Sequence, residues 1–408
     1  MSLFQTLDDK TECVGIYIDG KLQFDIDEIP PHASKTWKYI PYLKNKDIEY
    51  LSLYLEGKPL AEVLPEYLQD DWEDISTKVQ AFKRSLKIAG VSLGENCFYD
   101  LVPKRFLIEY CEVQNNIASF VENKIEKPKR YKFYKFVHMM LRDMAEYEVS
   151  LDKRFLKSFA SHPKLRNQSQ KILEGSPRVD YNQFGTKTGR LTCRPGSFPI
   201  LTLGKDLRTA VQPVNDYFVE LDFNGAEIRT LLGILGKEQP SSDIHEFNIS
   251  NVFQQHMTRE EAKVAFFAWL YGAKNTVSAE VSQTLKNFYG ANLLLEKHWD
   301  GQDVTTPFGK KIKNVSEHHA LNYIIQSSSA ELVLKQAVKI HHLLGLRGSR
   351  SRLCFLVHDS VVLDVKKEDT ALLKDVLTLF ETTPFGKFKV NLHRGLNLGA
   401  MKRIHSFE

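Results

Sequence analysis

The sequence predicts an α+β fold, in which strands and helices occupy separate stretches of the chain. Residues 14–25 alternate in polarity around Asp19-Gly20, which predicts a β-hairpin. Residues 217–235 predict a strand followed by a helix that starts near Gly225. A long helix predicted over residues 314–346 leads to FLVHDSVVLDV (355–365), whose β-branched residues predict one strand or two strands meeting at a tight turn.

The composition is that of an ordinary globular protein. Of its 408 residues, 42% are hydrophobic and 26% are charged, and no apolar run reaches the 18 or so residues that a membrane-spanning helix needs. The first residues do not resemble a signal peptide, so we expect a soluble, cytoplasmic protein. The net charge is only +4, so binding to nucleic acid would have to come from local basic clusters.

The cysteines show no metal-binding or disulfide pattern. None of them forms a C-x-x-C pair, which argues against a zinc site or a disulfide framework and favours a reducing compartment. They are Cys13, Cys97, Cys111, Cys193 and Cys354.

One local cluster combines basic charge with aromatic rings. In KIEKPKRYKFYKF (124–136) basic residues, among them Lys129, Arg130 and Lys132, alternate with Tyr and Phe. Such a segment suits a phosphate backbone. A solvated connection between helices, with its aromatic residues packed inward, is an equally good interpretation of the pattern.

Two predicted strands carry an aspartate at a turn. Asp222 ends VELDF, and Asp359 lies in LVHDS. Paired carboxylates on separate strands are what a two-metal phosphoryl-transfer site requires, because two Mg²⁺ ions about 4 Å apart need bridging oxygen ligands. A single Asp at a strand end more often caps a turn, and the pair alone leaves that alternative open.

A predicted helix over 257–275 carries a stripe of cations and aromatic residues. Thr258 is its expected N-cap, with two glutamates in the first turn. Residues four apart share one helical face, so the stripe would present cations to a triphosphate and rings to a base. It consists of Arg259, Lys263, Phe267 and Tyr271. Alone, it would also fit a half-buried packing face.

Together these residues resemble a known family. Over residues 180–408 the chain resembles family A DNA polymerases, the DNA polymerase I type. Asp222-Phe-Asn-Gly-Ala-Glu227-Ile-Arg229 is similar to their first palm motif, and Arg259-x3-Lys263-x3-Phe267-x3-Tyr271-Gly272 matches their fingers motif in full. TKTGRLT (186–192), TPFGKK (306–311), NYIIQSSSAE (322–331) and His358-Asp359-Ser360 resemble further family motifs, in the family's order.

The chain also departs from the family pattern. Ser360 replaces the usual Glu of the third palm motif, and His318 stands where the family often has Arg. His-Asp-Ser also occurs in single-subunit RNA polymerases, which share this palm. Glu227 and Phe267 favour DNA synthesis, because a bulky side chain at position 227 would exclude a 2′-hydroxyl by steric clash. The alternatives are a single-subunit RNA polymerase or primase-like enzyme, and a non-catalytic DNA-binding polymerase subunit.

The resemblance implies a role for each matched residue. It implies that Asp222 and Asp359 are catalytic and bind two Mg²⁺ ions, for which Mn²⁺ could substitute, with the Phe223 carbonyl as a further ligand. The dNTP would contact the stripe and Glu227. Primer-template DNA would contact the matched residues Arg190, Asn322, Gln326 and His358, in addition to the basic segment.

The resemblance also predicts a domain order. It implies a right-hand polymerase with a thumb at 119–180, a first palm part at 181–234, fingers at 235–315 and a second palm part at 316–408. Residues 1–118 resemble a shortened exonuclease remnant without activity, since Gln114 stands where Tyr110-x3-Asp is expected and Asp71-Trp72-Glu73 lies in a helical, exposed segment. We expect proofreading from a separate exonuclease subunit, a processivity factor as a further partner, and a phage or mobile-element origin.

Overall fold

The computed structural model describes residues 2–8, 15–24, 29–39, 43, 46–93, 96–253, 257–272 and 278–407. The chain divides into two compact units, Met1–Tyr147 and Glu148–Glu408. Both contain sheets and helices, and the predicted α+β class is confirmed.

The first unit is a five-stranded sheet with three long helices. The strands lie in the order β3-β2-β1-β4-β5, with β2 and β3 antiparallel to their neighbours and β4 and β5 parallel. The elements are β1 (Ser2–Thr6), β2 (Gly15–Ile18), β3 (Lys21–Phe24), β4 (Ala33–Thr36), β5 (Glu49–Tyr50), α1 (Glu66–Ile88), α2 (Lys104–Lys124) and α3 (Tyr131–Ala145).

The predicted hairpin is confirmed as β2 and β3. Asp19 and Gly20 both have positive φ, at 51° and 75°, a conformation that Gly and Asp adopt readily in two-residue turns. Residues on the sheet, α1 and α2 form one apolar core, which includes Leu7, Ile75 and Leu107. The unit therefore has a core of its own.

The second unit holds the larger, fully antiparallel sheet, with strands in the order β13-β14-β10-β17-β18. Its strands are β6 (Ser150–Leu151), β7 (Tyr181–Asn182), β8 (Thr192–Cys193), β9 (Val211–Gln212), β10 (Tyr217–Phe223), β11 (Val304–Thr305), β12 (Lys311–Ile312), β13 (Arg352–Val357), β14 (Ser360–Val365), β15 (Thr382–Thr383), β16 (Gly386–Lys387), β17 (Val390–Gly395) and β18 (Lys402–Ile404). Its helices are α4 (Lys153–Ser158), α5 (Arg166–Glu174), α6 (Lys205–Arg208), α7 (Ala226–Ile234), α8 (Ile244–Asn248), α9 (Arg259–Leu270), α10 (Ala279–Phe288), α11 (Ala291–His298), α12 (Glu317–Leu346) and α13 (Leu373–Glu381).

The segment 355–365 forms two strands rather than one. β13 and β14 meet at the turn His358-Asp359, and β14 pairs with β10 so that Ser360 lies opposite Asp222. Both aspartates consequently lie at the same end of two neighbouring strands. The strand-to-helix prediction near Gly225 is confirmed by β10 and α7.

Helix α9 begins as the sequence predicts. The Thr258 side chain accepts from the Glu261 N–H, and the Glu261 side chain accepts from the Thr258 N–H, which completes a capping box. Its buried face, including Phe266, packs in an apolar core with residues from α7, α8, α10, α11 and α12. The stripe thus lies on a helix whose opposite face is buried.

The predicted domain boundaries remain a prediction. Helix α2 runs through 118 and 119 without a break, and the division into compact units falls at Tyr147. Four cysteines are free thiols, and Cys13 lies outside the described residues. In the described part of the chain, no helix combines the length and the apolar character that crossing a membrane requires.

Candidate functional site

The two aspartates are brought together by strand pairing. Asp222 is the penultimate residue of β10, and Asp359 directly precedes β14, its antiparallel neighbour. The Phe223 N–H donates to the Asp359 carbonyl at 3.5 Å, and Asn391 on β17 donates to the Asp222 carboxylate at 3.2 Å. The predicted pairing of the two carboxylates is therefore present in the fold.

The aspartate pair carries negative charge that the protein only partly balances. Burial raises the pKa of Asp222 to about 7, and Glu220 and Asp359 add to the rise, while the Asn391 hydrogen bond and Lys263 oppose it. Burial also raises the pKa of Asp359, against the attraction of Arg190 and His358. Desolvation and like charge both disfavour the ionised carboxylates. A cation bound at this position would offset their negative charge and would therefore be bound favourably.

The turn that presents Asp359 is conformationally unusual. His358 has a φ of +53°, a region that residues other than Gly enter at a cost of the order of 1 kcal/mol or more. Its side chain is exposed. The pairing of β13 with β14 on both sides of this two-residue turn holds the strained conformation.

Three predicted site residues form one hydrogen-bonded group. The Glu227 side chain is 2% exposed; it accepts from Arg190 and also from the Tyr271 hydroxyl at 2.9 Å. Burial raises the pKa of Glu227, which Arg190 and Tyr271 oppose. Tyr181, just before the Arg190 loop, bonds to the Leu356 backbone through its hydroxyl and so ties this loop to β13.

Part of the α9 stripe adjoins this hydrogen-bonded group. The rings of Phe267 and Tyr271 stack at 5.7 Å, and Lys263 is exposed and acts electrostatically on Asp222. Arg259 is paired instead with Asp243 at 2.9 Å and with Glu260 at 3.0 Å. The structure therefore joins Lys263, Phe267 and Tyr271 to the aspartate end of the sheet, whereas Arg259 is held by carboxylates.

Asp243 and His245 were not among the predicted site residues. Asp243 caps α8 and also accepts from Asn224 and Arg259; although burial opposes the effect, these hydrogen bonds hold its pKa well below the usual range. His245 is 3% exposed, and burial, aided by Arg259, lowers its pKa to about 4. Its ring lies 6.3 Å from that of Phe267. The sequence pattern that could have indicated these two residues is an Asp at a helix N-cap followed two positions later by a His.

The remaining predicted residues are not joined to the group by any described contact. Asn322 and Gln326 lie on α12 half-buried, and the buried Asn322 Oδ1 has no hydrogen-bond partner among the described residues. Lys129, Arg130 and Lys132 belong to the first unit. There Arg130 lies over the rings of Phe133 and Tyr134, and Lys129 and Lys132 are exposed.

The donors at the aspartate pair fit a hard divalent cation. Carboxylate and carbonyl oxygens, here from Asp222, Asp359 and Phe223, are the ligands that Mg²⁺ and Mn²⁺ prefer. Within the described ranges no three His, Cys, Asp or Glu side chains form a ligand set. The chain thus offers part of a coordination shell, as sites that also bind substrate phosphates do.

Comparison with known proteins shows similarity to one protein family. The family model for DNA polymerase family A matches residues 294–401, which include α12, the β13–β14 turn and Asp359. Over these residues the chain resembles DNA polymerase family A. The motifs on β10 and α9 lie outside this match, and the geometry described above places them around the same turn.

Several DNA polymerases resemble this chain in sequence. DNA polymerase I of Chloroflexus aurantiacus is 26% identical over 278 residues, covering 56% of this chain and 30% of the relative. DNA polymerase I of Aquifex aeolicus is 24% identical over 273 residues, covering 58% of this chain and 47% of the relative. The DNA polymerase of Bacillus phage SP01 is 28% identical over 210 residues, covering 47% and 21%. The chain spans less than half the length of these curated relatives.

A solved structure confirms the fold of this chain. The POL domain of Pol1 from M. smegmatis, in complex with DNA primer-template and dNTP, matches with a TM-score of 0.68 at 12% identity, covering 97% of this chain and 95% of that domain. The predicted right-hand polymerase fold is therefore confirmed.

Proposed function

We propose that this chain is a DNA-directed DNA polymerase that extends a primer 3′ end with dNTPs. The observation that carries the proposal is that Asp222 and Asp359 meet at one end of the sheet. Lys263 of α9 acts electrostatically on the Asp222 carboxylate. The match of residues 294–401 to the model for DNA polymerase family A supports it, as do relatives named DNA polymerase I and a structural neighbour solved with primer-template and dNTP.

Asp222 and Asp359 would hold two Mg²⁺ ions, with Mn²⁺ able to substitute and the Phe223 carbonyl as a further ligand. Bound there, the ions would neutralise the attacking and leaving oxygens of the nucleotidyl transfer. Lys263 would face the triphosphate and balance charge as pyrophosphate departs. Arg259, whose side chain is 42% exposed, would exchange Asp243 or Glu260 for a phosphate oxygen.

Glu227 supports a preference for deoxynucleotides. Its carboxylate is buried and is held by Arg190 and Tyr271, so it cannot move aside without leaving a buried charge unpaired. A side chain held in this way would reject a 2′-hydroxyl by clash, and Phe267 would pack on the incoming sugar and base. Arg190, Asn322, Gln326 and His358 would contact primer-template DNA, and Lys129, Arg130 and Lys132 would contact its backbone.

We also propose that the chain lacks intrinsic proofreading. A metal-dependent exonuclease requires clustered carboxylates, but at the expected carboxylate position Gln114 donates through its amide to the Tyr110 hydroxyl at 2.6 Å. Asp71 and Glu73 lie exposed on α1. Proofreading would come from a separate exonuclease subunit.

Primer extension tests the proposal. A labelled primer on a single-stranded DNA template would be incubated with Mg²⁺ and either dNTPs or rNTPs, using the wild type and Asp359→Asn. We expect extension with dNTPs and a loss of at least 100-fold in Asp359→Asn, because one metal-binding charge is removed. Asp375→Asn, the same change at an exposed position on α13, serves as the control and should extend normally.

The outcomes separate the alternatives. Extension with rNTPs would indicate an RNA polymerase, and no extension with either nucleotide would indicate a non-catalytic DNA-binding subunit. Incubating a mismatched primer without dNTPs tests proofreading. Shortening of its 3′ end in the wild type would contradict the proposed absence of an exonuclease.

A further inference from the structure

Glu220 is a second carboxylate on the strand that carries Asp222. Only these two residues of β10 are not fully buried. Because side chains two residues apart on a strand emerge from the same face, both carboxylates point to the same side of the sheet.

The contacts of Glu220 join it to the aspartate turn. The Ser360 hydroxyl donates to Glu220 Oε1 at 2.9 Å, and Ser360 is the residue that follows Asp359 and lies opposite Asp222 in the ladder. On the other side, His393 lies opposite Glu220 on β17, and its Nδ1 is 3.6 Å from Glu220 Oε2. The carboxylate is thus held between both neighbouring strands.

Glu220 also acts on Asp222 through its charge. Its repulsion is, after burial, the larger of the two neighbouring-carboxylate effects that raise the pKa of Asp222. A purely structural acceptor for the Ser360 hydroxyl would not need a charge, because an amide accepts the same hydrogen bond. The added negative charge beside two aspartates is destabilising in the metal-free protein, as like charges at a functional site commonly are.

We propose that Glu220 is a positioning residue for a divalent cation at the aspartate pair, supplying a third negative charge that Ser360 holds in place. It contacts Ser360 and His393 in this structure, so it acts on the cation through space and through the orientation of the turn. This inference rests on the proposed function, since it concerns the same site, but it assigns a role to a residue that the family motifs do not include.

Metal binding without DNA or nucleotide tests the inference. Free Mn²⁺ would be measured by electron paramagnetic resonance during titration of the wild type, Glu220→Gln and Ser360→Ala. We expect Glu220→Gln to raise the Kd for Mn²⁺ about tenfold, since loss of a nearby charge in a partly buried site changes binding by an amount of this order. Ser360→Ala should raise it less, because the charge remains but is no longer held.

A relocated charge supplies the decisive variant. Position 360 lies opposite Asp222, so Glu220→Gln with Ser360→Glu moves the third carboxylate to the other strand, and the Kd should return toward the wild-type value. Glu368→Gln removes the same charge at an exposed position beyond the far end of β14 and should leave the Kd unchanged. Thermal unfolding of each variant checks that it is folded.

The results distinguish this inference from the proposed function. An unchanged Kd in Glu220→Gln would overturn the inference, and so would a raised Kd that Ser360→Glu fails to restore, because a negative charge beside Asp222 would then not be what lowers the Kd. Primer extension by the wild type in either case would leave the proposed function standing. A different result would contradict the proposed function alone: the wild type binds Mn²⁺ and Asp359→Asn binds it weakly, yet the wild type does not extend a primer.

Discussion

At the scale of single residues, Glu227 shows how a buried charge can serve selectivity. An unpaired buried carboxylate would cost several kcal/mol, and here Arg190 and the Tyr271 hydroxyl compensate for much of that cost. Burial raises the pKa of Tyr271 to about 12, and the negative charge of Glu227 adds to this, so the phenol remains a hydrogen-bond donor at neutral pH. The three side chains restrain one another, which gives Glu227 a defined position.

Truncating this side chain should relax sugar selectivity. In Glu227→Ala we expect the preference for dNTPs over rNTPs, measured as the ratio of kcat/KM values, to fall by about 10- to 1,000-fold, because the bulk that would clash with a 2′-hydroxyl is removed. Glu227→Gln keeps the bulk and serves as the control. An unchanged ratio in the Ala variant would show that another residue excludes ribonucleotides.

At the scale of elements, Arg229 connects α7 to the segment that precedes α8. Its side chain is 0% exposed and donates to three carbonyl oxygens, those of Asn224, Pro240 and Ser242, at 2.7 to 2.9 Å. Burial lowers the pKa of Arg229 to about 10, so the guanidinium remains charged at neutral pH. These contacts hold the segment that carries Asp243 and, through Asp243, orient the start of α9.

Replacing this guanidinium should destabilise the second unit. A lysine cannot reach several carbonyls in fixed directions, so Arg229→Lys should lower the free energy of unfolding by about 2–4 kcal/mol. Urea denaturation followed by circular dichroism measures the change. Arg352→Lys makes the same substitution at an exposed position and should change stability by less than about 0.5 kcal/mol; a similarly small change in Arg229→Lys would show that the buried contacts contribute little.

At the scale of the whole molecule, charge distribution matters more than net charge. The formal net charge is only +4, yet Lys129 and Lys132 are exposed close together around Arg130 in the first unit. Tyr131 and Tyr134 of the same segment are buried, so these rings pack inward, while Lys129 and Lys132 remain exposed and their contact with DNA stays a prediction.

This segment should contribute to DNA binding in a salt-dependent manner. In the double variant Lys129→Ala with Lys132→Ala, we expect the slope of log K for DNA binding against log salt to become shallower by about 1 to 2. The reason is that fewer phosphate contacts form, so binding releases fewer counterions. Fluorescence anisotropy with labelled primer-template at several salt concentrations measures it. Lys58→Ala with Lys87→Ala removes the same charge from exposed positions of the same unit. Equal slopes for the two double variants would assign the segment a structural role only.

Sequence alone predicted the features that depend on interactions between near neighbours. The hairpin at Asp19-Gly20 and the start of α9 at Thr258 are each determined by residues within a few positions of one another, and a turn within residues 355–365 was one of the two alternatives that the local pattern left open. The stripe of α9 follows from helical periodicity, and the order of the motifs indicated the family whose model matches residues 294–401.

Only the tertiary structure decided which distant side chains meet. Ser360 bonds to Glu220 across 140 positions, Arg190 to Glu227 across 37, and Arg259 to Asp243 across 16. Such pairs depend on strand register and on the packing of helices against a shared core, which no local pattern specifies. The sequence by itself therefore determined the fold class and the candidate residues, whereas the balance of charge around them arises from long-range packing.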